Sequence, residues 1–218
     1  MDLRIFNGIN LFKSLDEKEL QALSEHLLRR HFPKNVVIIN EGDMTNSLYI
    51  ILSGRVKVFL NDENGKEVIL NVVEAGDYFG EVSLFDDGRR SASIMTLVDS
   101  EFAVLEKSSF LTCMKSSPEL ALTIIRGLTE RLRGLSANVR NLALMDVYGR
   151  VAHTLIELAE DQDGTTMIPG GITYKELAQR VGASSKMVGR VMKDLRTGGY
   201  ISKLGHNLVI NRSFPSSW

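Results

Sequence analysis

Residues 79–92, with the sequence FGEVSLFDDGRRSA, carry side chains suited to binding a nucleotide. Gly80 lets the backbone come close to a ligand, and the carboxylate of Glu81 can accept hydrogen bonds from sugar hydroxyls. The guanidinium of Arg90 can donate two parallel hydrogen bonds to a phosphate, beside the hydroxyl and backbone N–H of Ser91. Together these groups fit a nucleotide monophosphate. Spacing alone leaves a second interpretation open, in which this polar stretch is a solvated surface loop.

A second set of polar residues lies on a helix predicted near the C-terminus and suits contact with double-stranded DNA. We expect Ser185, Lys186 and Arg190 to reach base edges in the major groove, and Ser184 and Lys193 to meet phosphates. Arg190 is the strongest candidate because an arginine can bind O6 and N7 of guanine with two hydrogen bonds. The alternative is that these are solvated charges on an ordinary helix.

The charge of the chain is unevenly distributed, although its formal net charge is only −1. Residues 172–212 contain eight lysines and arginines against two acidic residues, so the rest of the chain is acidic. A basic segment attached to an acidic body suggests that the C-terminal part binds a polyanion. This signal agrees with a DNA-binding helix in the same segment, but it is not specific by itself.

The cysteine and histidine content argues against a metal centre or a disulfide framework. Cys113 is the only cysteine, so there can be no intrachain disulfide and no cluster held by four thiolates. The four histidines, His26, His31, His153 and His206, show no ligand spacing. A cupin-like enzyme would need clustered metal ligands or a nucleophile with its base. We therefore expect neither a metal nor an enzymatic activity.

The residues predicted to contact DNA require a helix-turn-helix to present them. Thr173 starts a capping box for a first short helix, Gly182 supplies a tight turn, and Ser184 can cap a second helix. Two short apolar runs, 200–203 and 208–211, follow and are joined through a glycine turn. They predict a hairpin wing, so the C-terminal segment has the pattern of a winged helix-turn-helix.

The predicted nucleotide-binding residues lie within a stretch of short apolar runs separated by glycine turns. This pattern is typical of an antiparallel, jelly-roll-like β-roll, a barrel that can enclose one small ligand. Before it, Ser14-Leu15-Asp16-Glu17 is a predicted capping box that starts an amphipathic helix extending to Leu28. The runs that we expect to form strands are 36–40, 47–52, 55–60, 67–73, 91–96 and 101–106.

A long helix is predicted over residues 117–144. It opens with Ser117-Pro118-Glu119, an N-cap serine followed by a proline at the first helical position. Its apolar residues recur at alternating steps of four and three, which is the spacing of a heptad seam. They are Ala121, Ile125, Leu128, Leu132, Leu135, Val139 and Leu142. The seam is narrow and predicts a parallel homodimer, whereas the alternative is a single long core helix.

These elements predict an α+β fold in three segments. Residues 1–116 form the β-roll effector-binding domain, residues 117–144 the dimerisation helix, and residues 145–218 the winged helix-turn-helix DNA-binding domain. With 44% hydrophobic residues, the 218-residue chain can bury cores in two domains. It lacks a long apolar run and a basic N-terminal flank, so we expect a cytoplasmic protein that does not enter a membrane.

The order of β-roll, FGE-to-RSA segment, heptad helix and helix-turn-helix resembles the cyclic-AMP receptor protein (CRP/FNR) family of bacterial transcription regulators. The resemblance extends over essentially the whole chain. Further matching stretches are Asn141-Leu142-Ala143, Asp146-Val147 with Gly149-Arg150, and Val188-Gly189-Arg190. The resemblance implies a homodimeric, sequence-specific DNA-binding regulator that works with RNA polymerase and is controlled by a cyclic nucleotide, with cyclic AMP as the first candidate.

The resemblance also implies roles for individual residues. In the family, the segment that matches residues 79–92 is a phosphate-binding cassette, and we use the name cassette for this range. Its ligand-binding positions match Gly80, Glu81, Arg90 and Ser91. Arg131 matches an arginine on the long helix that reaches back toward the cassette glutamate. Ser136 matches a position at which the partner subunit's helix touches the base.

Three departures from the family pattern leave alternatives open. Leu135 stands where the best-known member has a threonine that meets the adenine amino group, and leucine cannot form that hydrogen bond. The loop before Arg90 is one residue shorter than in that member. Ser185-Lys186 replaces the Arg-Glu that is common in the family, which leaves the DNA half-site open. Leu135 leaves cyclic GMP, cyclic di-GMP or a response largely independent of ligand as alternatives to cyclic AMP. A cyclic-nucleotide-binding regulatory subunit that acts on a protein partner is an alternative from another functional class.

Overall fold

The computed structural model describes residues 6, 8–13, 15–86, 88–162 and 164–214. The chain divides into two compact units, residues 1–133 and residues 134–218, and each combines helices with antiparallel sheets. The α+β class predicted from the sequence is therefore confirmed. The division between the units falls inside one long helix rather than at either of its ends.

The first unit is a β-roll made of two four-stranded antiparallel sheets. Its strands are β1 (Leu28–Phe32), β2 (Val37–Ile39), β3 (Ser47–Ser53), β4 (Arg55–Asn61), β5 (Glu67–Glu74), β6 (Tyr78–Phe79), β7 (Ser93–Thr96) and β8 (Ser100–Glu106). One sheet has the order β1-β8-β3-β6 and the other the order β2-β7-β4-β5. Each of the six predicted runs contains a strand, whereas β1 and β6 lie outside those runs.

Apolar side chains from both sheets form a shared core within the roll. Ile39, Ile51, Val56, Val73 and Phe102 are buried in this cluster. Burying one such side chain stabilises the folded state by about 1.5–3 kcal/mol relative to leaving it exposed. This core holds the two sheets together. The segment between β6 and β7 lines a cavity beside it.

The first helix begins later in the chain than predicted. Helix α1 (Glu17–Ser24) has Asp16 as its N-cap, and the carboxylate of Asp16 accepts the backbone N–H of Glu19 at 2.8 Å. The Glu19 carboxylate accepts the backbone N–H of Asp16 in return, which completes the capping box. The prediction of Ser14 as the cap was wrong in register, and Ser14 lies outside the described residues. Helix α1 also ends before Leu28, which belongs to β1.

The long helix begins at a proline, as predicted, and packs on the roll through two leading apolar residues. Leu120 and Ile124 are 0% and 1% exposed, and they share an apolar cluster with Tyr78. Neither belongs to the predicted seam. The helices that follow the first one are α2 (Val82–Phe85), α3 (Lys107–Ser116) and α4 (Pro118–Leu144).

The predicted seam of α4 forms a separate stripe, which is exposed along most of its length. A single long core helix would bury this stripe. Its exposure in the single chain therefore argues against the core-helix alternative. The exposed members of the seam are Ile125, Leu132, Leu135, Val139 and Leu142, at 44–65% exposure.

The second unit contains the predicted winged helix-turn-helix. Its elements are α5 (Val147–Leu158), β9 (Glu160–Gln162), β10 (Thr165–Ile168), α6 (Tyr174–Val181), α7 (Ser185–Thr197), β11 (Ile201–Leu204) and β12 (Asn207–Ile210). Leu155, Leu177, Val188 and Leu195 are fully buried in one core that joins the three helices. Helices α6 and α7 are the predicted helix-turn-helix, and β11 and β12 are the predicted wing. The four strands form one antiparallel sheet in the order β11-β12-β10-β9.

Candidate functional site

The cassette residues line a cavity in the β-roll. Strand β6 ends immediately before Gly80 and Glu81, and β7 begins after Arg90 and Ser91, so the ends of two strands bring the four residues together. The cavity has a volume of about 80 Å³ and is partly open to solvent. Its apolar wall includes Ile39, Val58, Phe79 and Ile94. A pocket with a polar end and an apolar wall can hold a ligand that has a charged group and a flat ring.

Arg90 is buried, with only 4% of its surface exposed. Its Nη1 donates to the carbonyl of Gly80 at 2.8 Å, and its Nη2 donates to the carbonyl of Ser47 at 2.8 Å. Its Nε donates to the hydroxyl of Thr45 at 3.0 Å. Position 80 must be glycine for this approach, because a Cβ there would lie 2.6 Å from Nη1 and φ is 86°. Since a guanidinium has five N–H groups, two remain for a ligand.

The charge of Arg90 has no counter-ion within the chain as described. No aspartate or glutamate of the described residues forms an ion pair with it, and the nearby Glu81 is paired with Arg131. Burial lowers the pKa of Arg90, and the neighbouring acidic groups oppose that shift. The arginine remains charged at physiological pH. A buried cation without a counter-ion is costly, so an anion that binds beside it is stabilised. The cassette therefore has the chemistry of an anion site and not of a solvated loop.

Glu81 is also buried, at 4% exposure, and it pairs with Arg131 of α4. Nη1 of Arg131 donates to Oε1 of Glu81 at 2.5 Å, and Nη2 donates to the backbone carbonyl of Tyr78. Burial alone would lower the pKa of Arg131, but the charge of Glu81 and this hydrogen bond raise that pKa above its ordinary value. A carboxylate can accept about four hydrogen bonds, so Glu81 retains capacity for a sugar hydroxyl.

The other two residues predicted to contact the ligand are more exposed. Ser91 is exposed and lines the cavity. Ser136 is an exposed residue of the second unit, and its contact with a base across a dimer stays a prediction. Sequence reasoning missed Thr45 and Ser47, which hold the guanidinium of Arg90. They had no recognisable signal, because one supplies an ordinary hydroxyl and the other only a backbone carbonyl.

Helix α7 presents the five residues predicted to contact DNA on its exposed side. Its opposite side is buried through Val188, Met192 and Leu195. The hydroxyl of Ser184 accepts the backbone N–H of Met187 at 3.2 Å, so Ser184 is the N-cap of the helix. The five predicted residues, all exposed, are Ser184, Ser185, Lys186, Arg190 and Lys193.

Two residues fix the helix-turn-helix geometry. Gly182 ends α6 in the left-handed conformation, with φ 64° and ψ 36°, which lets the chain turn directly into α7. The guanidinium of Arg150 on α5 donates from Nε to the carbonyl of Val181 at 2.9 Å and from Nη1 to the carbonyl of Met145 at 2.8 Å. These bonds satisfy carbonyls at the ends of two helices. They give a structural reason for the Gly149-Arg150 stretch noted in the sequence.

In the described part of the chain, no cluster of three or more histidine, cysteine, aspartate or glutamate side chains could hold a metal ion. Over the same residues, every helix is too short or too polar to span a bilayer.

Two family models match the chain. Residues 29–117 match the cyclic nucleotide-binding domain, and this range contains the whole cassette. Residues 149–213 match the Crp-like helix-turn-helix domain, and this range contains α6, α7 and the wing.

Individual relatives match over nearly their full length. The chain is 34% identical over 200 residues to the cAMP-activated global transcriptional regulator Vfr of Pseudomonas aeruginosa, covering 88% of this chain and 94% of that protein. It is 34% identical over 204 residues to the cAMP-activated global transcriptional regulator CRP of Salmonella typhimurium, covering 92% and 97%. Among solved structures, the c-di-GMP responsive global regulator CLP of Xanthomonas campestris is similar with a TM-score of 0.78. That match has 26% identity and covers 89% of this chain and 99% of that one.

Proposed function

Because the chain belongs to the CRP/FNR family of transcription regulators, we propose that it is a homodimer that binds a specific DNA operator under the control of a cyclic nucleotide. Cyclic AMP is the proposed effector. The observation that carries this proposal is the pair of buried charged residues in one cavity. Among the described residues Arg90 has no counter-ion, and Glu81 has unused acceptor capacity. A cyclic nucleotide supplies an anion and a sugar hydroxyl, the two groups that this pair would bind.

In the proposed complex, the cyclic phosphate binds Arg90 and Ser91, and the ribose 2′-hydroxyl donates to Glu81. The base would extend toward α4, where Ser136 of the partner subunit would contact it. The ligand would then lie beside the seam between two copies of α4. A ligand that binds one packing of the two helices more tightly than another shifts the population toward that packing.

Cyclic di-GMP is the second candidate effector, because one residue departs from the family pattern for binding adenine. Leu135 occupies the family position at which an adenine amino group would be recognised, and its side chain has no hydrogen-bonding group. CLP, whose structure is similar, is a c-di-GMP responsive regulator. The buried Arg90 suits either ligand, because both carry phosphate.

For DNA binding, two copies of α7 would enter successive major grooves about one helical turn (~34 Å) apart. Phosphate contacts would supply much of the affinity, so binding should weaken steeply as salt concentration rises. RNA polymerase is the proposed protein partner of the complex on DNA. This partner follows from membership of the family and not from a particular surface of the chain.

An electrophoretic mobility-shift experiment with genomic fragments, with and without cyclic AMP, tests the proposal. We expect a subset of fragments to shift at low protein concentration only when nucleotide is present. Nucleotide binding without any sequence-specific shift would support the other functional class, a regulatory subunit that acts on a protein partner.

Arg190→Ala is expected to remove sequence preference while leaving weak, salt-sensitive DNA binding. The loss of a bidentate contact with guanine should cost about 1–3 kcal/mol of discrimination at one base pair. Lys193→Ala is the matched control, because loss of a phosphate contact should weaken binding to all sequences and lower the salt slope by about 1. Footprinting measures both effects. If Arg190→Ala protects the same operator as well as the wild type does, α7 is not the helix that recognises bases.

A further inference from the structure

Tyr78 of the roll contacts α4 at two levels of that helix. Its backbone carbonyl accepts a hydrogen bond from Nη2 of Arg131, and the Arg131 guanidinium lies over its ring, 4.7 Å from the ring centroid. Its hydroxyl lies against Gly127. Since Gly127 and Arg131 are four residues apart, they lie one above the other on the same face of the helix. One side chain of the roll therefore contacts both.

The close approach at position 127 requires a glycine. A Cβ there would overlap the Tyr78 hydroxyl and would lie 3.3 Å from Cζ of the same ring. Glycine in a helix interior is destabilising relative to alanine, so Gly127 is not a residue that the helix itself favours. Gly134 provides the comparison on the same helix, because a Cβ there would meet no atom within 4 Å.

The Tyr78 hydroxyl is buried, and among the described residues it has no hydrogen-bond partner. The residue is 5% exposed. Burial raises the pKa of Tyr78 to about 12, with Arg131 acting in the opposite direction, so the phenol is neutral at physiological pH. A buried hydroxyl without a partner lowers stability. Its effect on the neighbouring helix is therefore one of size and not of hydrogen bonding.

We propose that Tyr78 is a positioning residue of the nucleotide site and that its hydroxyl, packed on Gly127, fixes the distance between α4 and the cassette. At that distance Arg131 binds Glu81 and orients its carboxylate toward the ribose 2′-hydroxyl. All four residues belong to the first unit, and each contacts the next. Tyr78 acts through Arg131 and not on the ligand. The effect on the ligand rests on the proposed function, whereas the packing of Tyr78 on Gly127 does not.

Calorimetric titration of the full chain with cyclic AMP and with its 2′-deoxy analogue tests the effect on the ligand. Wild-type protein should prefer cyclic AMP, because the analogue lacks the 2′-hydroxyl that would donate a hydrogen bond to Glu81. Gly127→Ala should weaken cyclic AMP binding about tenfold, since overpacking of a buried contact displaces its neighbours. Binding of the 2′-deoxy analogue should change much less, so the preference between the two ligands should shrink.

Tyr78→Phe combined with Gly127→Ala is the decisive variant. Removing the hydroxyl leaves Cζ at 3.3 Å from the new methyl group, a separation that a small shift can accommodate. The double variant should therefore regain an affinity within about threefold of the wild type and should recover the preference for the 2′-hydroxyl. Gly134→Ala, as the control, should leave both unchanged.

Two results would overturn the inference. Gly127→Ala could keep the full preference for cyclic AMP, or the double variant could be as weak as Gly127→Ala alone. A wild-type protein that binds neither ligand would instead overturn cyclic AMP as the proposed effector, and thermal unfolding then decides the packing step by itself. Gly134→Ala should raise the midpoint by about 2–4 °C, and Gly127→Ala should lower it unless Tyr78→Phe is also present. If the double variant's change in midpoint equals the sum of the changes caused by Tyr78→Phe and Gly127→Ala alone, the hydroxyl does not pack on Gly127.

Discussion

Arg90→Leu is expected to weaken cyclic AMP binding by about a hundredfold or more and to abolish the effect of nucleotide on DNA binding. Arg90 is buried, and three of its five N–H groups are held by neutral oxygens of the roll. Removing one partner of a buried charge pair costs about 3–5 kcal/mol, which corresponds to roughly two to four powers of ten in Kd. Calorimetric titration measures the affinity, and a mobility shift measures the response.

The neighbouring arginine provides the matched control. Arg89 is exposed, and its Nη1 donates to the carbonyl of Gly42 at 3.0 Å. Arg89→Leu removes the same charge from the same loop, yet it should leave the affinity close to that of the wild type. Arg90→Lys keeps a cation but loses the fork of parallel donors, so it should bind weakly even if Arg90→Leu proves unstable. Wild-type affinity in folded Arg90→Leu protein would show that the cassette is not the phosphate site.

Leu132→Lys combined with Leu135→Lys is expected to convert the dimer into monomers. Leu132 and Leu135 are 64% and 44% exposed in the single chain, so lysines there should not disturb the fold of the monomer. In the proposed dimer the seam would instead bury four lysines. Burying unpaired charges costs several kcal/mol each, and the seam also loses the apolar packing of two leucines in each chain. Sedimentation velocity measures the change in mass.

Glu130→Lys is the control for the seam variant. Glu130 is exposed on the same helix and lies outside the seam, and its replacement changes the charge by the same two units per chain. This variant should remain dimeric and should bind DNA at least as well as the wild type. An intact dimer in the double lysine variant would mean that the interface lies elsewhere on the chain.

The β-roll could be predicted because its strands are short apolar runs between glycine turns. Strand β1 was not predicted, and the reason is physical. Its sequence, Leu28–Phe32 or LRRHF, is mostly charged or polar, and four of its five residues are exposed. It lies at the edge of its sheet, and among the described strands it pairs with β8 alone. Its conformation therefore depends on a partner about seventy residues away and not on its own pattern.

The charged residues of the site could be proposed from the sequence, whereas the groups that hold them could not. Arg90 and Glu81 have side chains whose chemistry suggests a phosphate and a sugar hydroxyl. Thr45 and Ser47 contact Arg90 across 45 and 43 residues of chain, and only the folded roll brings them together. From the sequence alone, Gly127 would be interpreted as a residue that destabilises the helix. The structure shows that a side chain there would overlap Tyr78, which the sequence does not reveal.

The long helix shows how one periodic pattern can conceal another. The heptad spacing of its seam residues is clear in the sequence, but Leu120 and Ile124 are the residues buried against the roll. Together with Gly127 and Arg131 they form a second stripe at steps of four, three and four. Two of these four are not apolar, so a search for hydrophobic periodicity does not find the stripe.

The most direct test of the proposed function is calorimetric titration of the purified full chain with cyclic AMP, cyclic GMP and cyclic di-GMP, measured side by side. We expect saturable binding of cyclic AMP with one molecule per chain, lost in Arg90→Leu and retained in Arg89→Leu. Binding of cyclic di-GMP alone would keep the anion site and change the effector. If none of the three nucleotides binds, the claim that a cyclic nucleotide controls this regulator is wrong.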